Sequence, residues 1–189
     1  DHFDADQPVF ADGVAGPGLW LTRVRRYLRK YAYLPAEQLT DKATGWVDGR
    51  RQDAPFFLWT HFMDPHGPYQ SKEGFEYYEK LRAERLWRKA VNSPDALSDA
   101  EQHRLEETYR EEVRYTDAQV GRLVERVESA SERPLVIALT ADHGDSFGEH
   151  GYFSHPHRLH EELLRVPLLV SDPGGPTGVQ VDTPVELID

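Results

Sequence analysis

The chain has 189 residues, and its 39% apolar and 29% charged content is typical of a globular protein. The formal net charge of −11 argues against nucleic acid as the principal partner, because phosphate contacts need clustered Lys and Arg. The absence of cysteine excludes disulfides and thiolate metal sites. No apolar run approaches the roughly 20 residues of a membrane span, so we expect no membrane segment in this chain. The compartment stays open, with a cytoplasmic location favoured, and so does the oligomeric state.

Apolar periodicity predicts helices in the first part of the chain. Spacing of three and four residues predicts an amphipathic helix over residues 18–33 and a second over about 40–48. Residues 55–62, reading PFFLWTHF, are apolar and aromatic and predict a strand. This strand leads directly into a loop rich in Pro and Gly that contains His66.

The middle of the chain is charged and then regularly amphipathic. We interpret residues 72–97 as a surface insertion with some helix. Ser98 and Glu101 form a capping-box pattern, which satisfies free amides in the first turn of a helix. An apolar stripe at helical spacing over residues 105–127 therefore predicts a long helix that begins at this cap.

A second strand and loop follow the long helix. Residues 135–139 are almost entirely apolar, which is typical of a strand covered on both faces in a parallel sheet. Asp142, His143 and Asp145 come directly after it, before a short helix at about 159–164 and a strand at 168–170. Alternating strands and helices predict an α/β fold with a mostly parallel sheet flanked by helices. Both polar loops would then lie at the same sheet edge, where such folds bind ligands.

The histidines are concentrated in these two loops. Of the nine histidines, all but His2 and His103 lie within residues 61–66 or 143–160. Imidazole can ligate a metal, donate to an anionic oxygen or protonate a leaving group near neutral pH. From spacing alone, metal binding and an ordinary loop role for the Asp142-His143 pair remain equally open.

Four ordered blocks resemble the sulfatase branch of the alkaline phosphatase superfamily. They are PFFLWTHFMDPHGPY (55–69), YREEVRYTDAQVGRL (109–123), LTADHGDSFGEHGYF (139–153) and LHEELLRVPLLV (159–170). The resemblance implies an alkaline-phosphatase-like fold and hydrolysis of sulfate monoesters, with some relatives acting on phosphate esters or phosphonates. It also implies a divalent cation, with Ca²⁺ expected and Mn²⁺ as the alternative.

The resemblance assigns roles by position. Asp142 and His143 fall on metal-ligand positions, and Asp145 is expected to orient a ligand. His66 falls on the histidine that contacts the sulfuryl group and the leaving oxygen. His155 falls where the family commonly has a Lys or His bound to the substrate anion, so activity should weaken as pH rises. We expect Glu149 and His150 to brace the loop.

The family's nucleophile motif is not found in the N-terminal part of this sequence, where the family has it. The chain contains no Cys-x-Pro-x-Arg, its single Ser-x-Pro-x-Arg stretch is Ser154 to Arg158 in the second polar loop, and it lacks the accompanying Asp-Asp pair at a strand end. We therefore expect residues 1–189 to be a single but incomplete catalytic domain, inactive in isolation. The full-length protein is expected to be a sulfuric ester hydrolase acting on a small-molecule or carbohydrate sulfate ester. The alternatives are a phosphoric ester or phosphonate hydrolase and a non-catalytic binding protein derived from a sulfatase.

Overall fold

The computed structural model describes residues 34–51, 54–70 and 77–187. The helix predicted at 18–33 lies outside these residues. The helices are α1 (Ala36–Gly49), α2 (Tyr77–Asn92), the 3-10 turn Pro94–Ala96, α3 (Asp99–Ser129) and α4 (Glu161–Leu164). The strands are β1 (Ile137–Thr140), β2 (Ser146–Phe147), β3 (Phe153–Ser154) and β4 (Leu168–Ser171).

Helix α3 is the longest element of the described chain. Its 31 residues extend for about 47 Å at 1.5 Å per residue. The predicted capping box is confirmed: the Glu101 amide donates to Ser98 Oγ, and the Ser98 amide donates to the Glu101 carboxylate at 2.9 Å. A second contact fixes this end, because Lys89 Nζ of α2 donates to Glu101 Oε2 at 2.6 Å.

Helix α1 packs against the far end of α3. Its predicted existence is confirmed, although it begins four residues earlier than expected, directly after Pro35. The buried side chains Ala43 and Val47 of α1 contact Leu123 and Val127 of α3 and form one core cluster. This packing places the start of α1 beside the chain that carries His66.

Helix α2 contributes to a second core cluster, under the two polar loops. Ala90 of α2 is 1% exposed and packs with Tyr69 and with Leu105 of α3. Phe147 and Phe153, from the β2–β3 hairpin, pack against the same cluster. The helix predicted within residues 72–97 is therefore partly a core element, while the status of this segment as an insertion stays a prediction.

The described sheets differ from the predicted parallel sheet. β1 pairs with β4 antiparallel, with Ile137 opposite Ser171 and Thr140 opposite Leu168. β2 and β3 form a second antiparallel pair. The strands predicted at 135–139 and 168–170 are thus present, but the parallel pairing expected of them is not seen among the described residues. The physical reason is that an apolar run reports burial of a strand's faces and carries no information about the direction of its hydrogen-bonded neighbour.

Residues 55–62 are extended but belong to neither described sheet. Their side chains alternate: Phe56, Leu58 and Phe62 pack on the α1–α3 cluster, whereas Phe57 and Trp59 are 88% and 74% exposed. The segment therefore has the geometry of a strand without a strand partner in the described part of the chain. None of the described helices is both long and apolar enough to cross a membrane.

Candidate active site

The first polar loop, residues 63–70, is attached to the start of helix α1. Asp64 is buried, and its Oδ2 accepts a hydrogen bond from the free amide of Ala36 at 2.7 Å. His66 Nδ1 lies 2.7 Å from the carbonyl oxygen of Gly67. Because a carbonyl only accepts, this contact places a proton on His66 Nδ1, so Nε2 is the acceptor when the ring is neutral.

The second polar loop follows β1 and is held by helix α4. The Gly144 amide donates to the Leu163 carbonyl at 2.8 Å. A Cβ at Gly144 would lie 2.0 Å from the Glu162 carbonyl oxygen, so this close approach requires glycine. His143 Nδ1 lies 2.9 Å from the Gly144 carbonyl oxygen, which again assigns the proton to Nδ1. The Asp142 Oδ1 accepts from the His143 amide at 3.1 Å.

Three histidines from the two loops meet at one point. His66 Nε2 and His155 Nε2 are 3.2 Å apart, and when both rings are neutral His155 donates to His66. The rings of His143 and His155 lie 4.4 Å apart, centroid to centroid. Partial burial lowers the pKa of His155; nearby Asp145 opposes this, and His143 and His66 add to it. The cluster therefore favours a neutral His155 unless an anion is bound.

Asp145 lies next to these histidines and is bonded to a buried tyrosine. Tyr69 Oη donates to Asp145 Oδ2 at 2.6 Å, while Asp145 Oδ1 is buried without a hydrogen-bond partner in the described part of the chain. Burial raises the pKa of Asp145, although the Tyr69 hydrogen bond and the charges of His155 and the other two histidines oppose the shift. Burial and the Asp145 charge raise the pKa of Tyr69 far above its usual range, so Tyr69 stays a donor.

Asp142 and His143 supply two donors that suit a divalent cation. The Asp142 side chain is 70% exposed and its Oδ1 lies 3.9 Å from His143 Nε2. Because Nδ1 of His143 donates to a carbonyl, Nε2 presents its lone pair outward, which is the usual arrangement of a metal-bound histidine. A carboxylate oxygen and an imidazole fit Ca²⁺ or Mn²⁺ in part, since Ca²⁺ takes six to eight oxygen ligands.

The structure thus brings together the predicted site residues His66, His143 and His155, with Asp142 beside them. Their catalytic and metal-binding roles stay predictions. The Tyr69–Asp145 hydrogen bond was not foreseen, because its partners are 76 residues apart in sequence. The PHGPY block contained Tyr69, but no sequence signal indicated its partner.

Glu149 and His150 of the second loop make contacts other than those of the three-histidine cluster. The prediction that Glu149 braces the loop is confirmed, because its Oε2 accepts from the Phe147 amide at 2.6 Å and from Ser146 Oγ at 3.1 Å. The same expectation for His150 stays a prediction; its ring stacks on that of His160, with the ring centroids 3.9 Å apart.

Comparison with known proteins identifies the family. The sulfatase family model matches residues 9–189, nearly the whole chain. The chain belongs to the sulfatase family. It is 27% identical over 172 residues to a protein of Escherichia coli K12 named uncharacterized sulfatase YidJ, covering 82% of this chain and 34% of that protein. It is 26% identical over 171 residues to human iduronate 2-sulfatase, covering 75% of this chain and 31% of that protein. An arylsulfatase of Clostridium perfringens is 25% identical over 175 residues, with 82% and 36% covered.

The sulfatase chain described here spans about a third of the length of these relatives. No solved structure gives a significant match. Membership of the family implies an α/β fold of the alkaline phosphatase type and hydrolytic activity for the family as a whole.

Proposed function

We propose that this sulfatase chain carries one half of the active site of a metal-dependent sulfuric ester hydrolase. The observation that supports the proposal best is the contact between His66 and His155, whose Nε2 atoms from distant loops are 3.2 Å apart. Two imidazoles converging beside a carboxylate and a third imidazole form a site that can bind an anion and exchange a proton with it.

In this proposal His66 and His155 act on the leaving group. In the absence of substrate, the Nε2–H group of neutral His155 donates a hydrogen bond to His66 Nε2. A bound sulfate ester would replace His66 as the acceptor of that hydrogen bond. Protonation of the pair would give charge-assisted hydrogen bonds to the departing oxygen, which are roughly twice as strong as neutral ones. Asp145, held by Tyr69, would favour that protonated state by its charge.

Asp142 and His143 would hold the divalent cation, Ca²⁺ first and Mn²⁺ as the alternative. When bound, the cation supplies electrostatic stabilisation of the ester's non-bridging oxygens. The role of this chain is to present the exposed Asp142 carboxylate and the Nε2 lone pair of His143 at a fixed point, through the hydrogen bonds of the loop to Gly144 and helix α4. The remaining ligands would come from residues other than these two.

The nucleophile would also come from outside these 189 residues. The sequence contains no Cys, its single Ser-x-Pro-x-Arg stretch (Ser154 to Arg158) lies far from the N-terminal part where the family has its nucleophile, and the matched relatives are more than twice as long. We therefore propose that the isolated chain does not turn over substrate and that the longer protein acts on the sulfate ester of a small molecule or carbohydrate.

The experiment is a comparison of ester classes with the longer protein that contains this chain. Matched aryl sulfate, phosphate and phosphonate esters would be assayed with added Ca²⁺ or Mn²⁺. The proposal predicts the highest kcat/KM for the sulfate. A preference for the phosphonate or phosphate would contradict the sulfatase assignment, and absence of turnover with every ester would favour a binding protein.

A further inference from the structure

Three ligand-type side chains converge at a point separate from the contacts of the His66 cluster. One nitrogen each of His150 and His160 and one oxygen of Glu162 lie within 4.8 Å of one another. His150 Nε2 is 3.5 Å from Glu162 Oε2. The other oxygen, Glu162 Oε1, is buried and has no hydrogen-bond partner within the described part of the chain. A buried carboxylate oxygen without a partner is costly, and a cation bound by this carboxylate would offset part of that cost.

From this geometry we propose that His150, His160 and Glu162 form a zinc-type cation site, distinct from the Asp142-His143 pair and independent of the proposed hydrolysis. Zn²⁺ binds imidazole nitrogen and carboxylate oxygen at about 2.0–2.2 Å, so neighbouring donors around a tetrahedral ion lie about 3.3–3.5 Å apart. The separation of His150 Nε2 and Glu162 Oε2 already has this value. The rings of His150 and His160 are stacked, with centroids 3.9 Å apart and an interplanar angle of 17°, so one ring would turn about its side-chain bonds to direct its in-plane lone pair at an ion held by the other.

The chain holds each donor on a locally fixed backbone. His150 lies in a tight turn closed by a hydrogen bond from the Gly151 amide to the Gly148 carbonyl at 3.0 Å. His160 is the residue immediately before helix α4, and its carbonyl accepts from the Leu163 amide at 3.0 Å. Its side chain makes no capping hydrogen bond to the helix, which leaves the imidazole available as a ligand.

The ligand set selects a different cation from the one proposed for the first site. Two nitrogens and one oxygen suit Zn²⁺ and similar transition-metal ions, whereas Ca²⁺ prefers oxygen ligands. The site would also stabilise the second polar loop. Glu162 belongs to the turn whose backbone lies against Gly144, directly after His143, so a cation at Glu162 would fix the α4 turn against that loop.

The experiment is a zinc titration of the full-length protein after chelator treatment. Saturating Ca²⁺ would be present throughout, so that sites made of oxygen ligands do not take up the zinc. Isothermal titration calorimetry would be run on the wild-type protein and on His160→Gln, Glu162→Gln and the control His157→Gln. His157 is an exposed histidine of the same loop that is not part of the cluster. Visible absorption of the protein loaded with Co²⁺ in place of Zn²⁺ would give independent evidence of coordination by nitrogen and oxygen ligands.

We expect one zinc equivalent in the wild-type protein and in His157→Gln. His160→Gln should raise the zinc dissociation constant at least 10- to 100-fold. That is the effect of losing a residue that only supports a metal ligand, and His160→Gln removes a ligand itself. Glu162→Gln should do the same. Circular dichroism of the zinc-free variants would test whether they are folded. We expect His160→Gln to fold, because the His160 side chain makes no capping hydrogen bond to α4. Absence of zinc binding in the wild-type protein, or wild-type affinity in folded His160→Gln, would overturn the proposal.

Discussion

Substitution of Tyr69 by Phe tests whether the Tyr69–Asp145 hydrogen bond supports the site. The bond is 2.6 Å long, which is in the range of an O–H donor on an ionised acceptor. Tyr69 is 4% exposed, so water cannot easily replace the lost hydroxyl. Asp145 Oδ1 already lacks a partner in the described part of the chain, and the substitution would leave both carboxylate oxygens poorly satisfied.

The expected cost follows from these contacts. A hydrogen bond to a charged group contributes about 1.5–3 kcal/mol, and a buried acceptor left without a partner adds to the cost of its removal. We therefore expect Tyr69→Phe to lower the free energy of unfolding by about 2–3 kcal/mol. Urea unfolding followed by the fluorescence of the four tryptophans would measure it.

Tyr109→Phe is the matched control. Its ring packs on Tyr69 at 5.2 Å and on Phe147 at 5.0 Å, but its hydroxyl is not the donor to Asp145, so we expect a change below about 0.5 kcal/mol. In an Asp145→Asn background the Tyr69→Phe cost should fall by about 1 kcal/mol or more, because the acceptor is no longer charged. Equal costs for the two tyrosine variants, or equal costs in both backgrounds, would refute the reasoning.

Three further predictions concern the helix cap, the loop glycine and the pH profile. Lys89 and the capping contacts lower the pKa of Glu101 to about 2, so the ionised carboxylate stabilises the fold fully above about pH 4.5 and loses this effect as pH falls through about 2. Glu101→Gln should therefore make the stability less dependent on pH in an acid titration followed by circular dichroism. An unchanged titration would contradict this. Gly144→Ala should destabilise the protein by about 1–3 kcal/mol in thermal unfolding, because the new Cβ would meet the Glu162 carbonyl; a neutral effect would refute this close approach. His155→Lys should extend activity to higher pH in a pH–rate measurement, because Lys stays protonated where His155, whose pKa burial lowers, does not; an unchanged profile would show that this charge is not required.

The local elements of this sulfatase chain could be predicted because their signals are local. The stripe of α3 repeats over many turns, and the Ser98–Glu101 pair marks its start within four residues. The strand predicted at 135–139 is present as β1 (Ile137–Thr140), so its two ends lie one or two residues from the predicted ones. Glycine-rich polar loops after apolar segments also indicated where the candidate site residues lie.

The pairing of these elements could not be predicted from the same signals. The antiparallel partner of β1 is β4, and nothing in the apolar runs of the two strands states their direction. Residues 55–62 were predicted as a strand, but they pair with no strand in the described ranges. Contacts between distant residues, such as Tyr69 with Asp145 or His150 with Glu162, depend on how the loops pack and leave no periodic pattern in sequence.

The most direct test of the proposed sulfatase site is the effect of His66→Ala on kcat/KM for an aryl sulfate, measured on the full-length protein. Loss of a group that stabilises or protonates the leaving oxygen costs about 100-fold or more. We predict such a loss for His66→Ala and a change below about twofold for the control His103→Ala, which removes an exposed histidine on α3. Equal activity of the two variants, with both folded by circular dichroism, would contradict the assignment of His66 to the reacting ester.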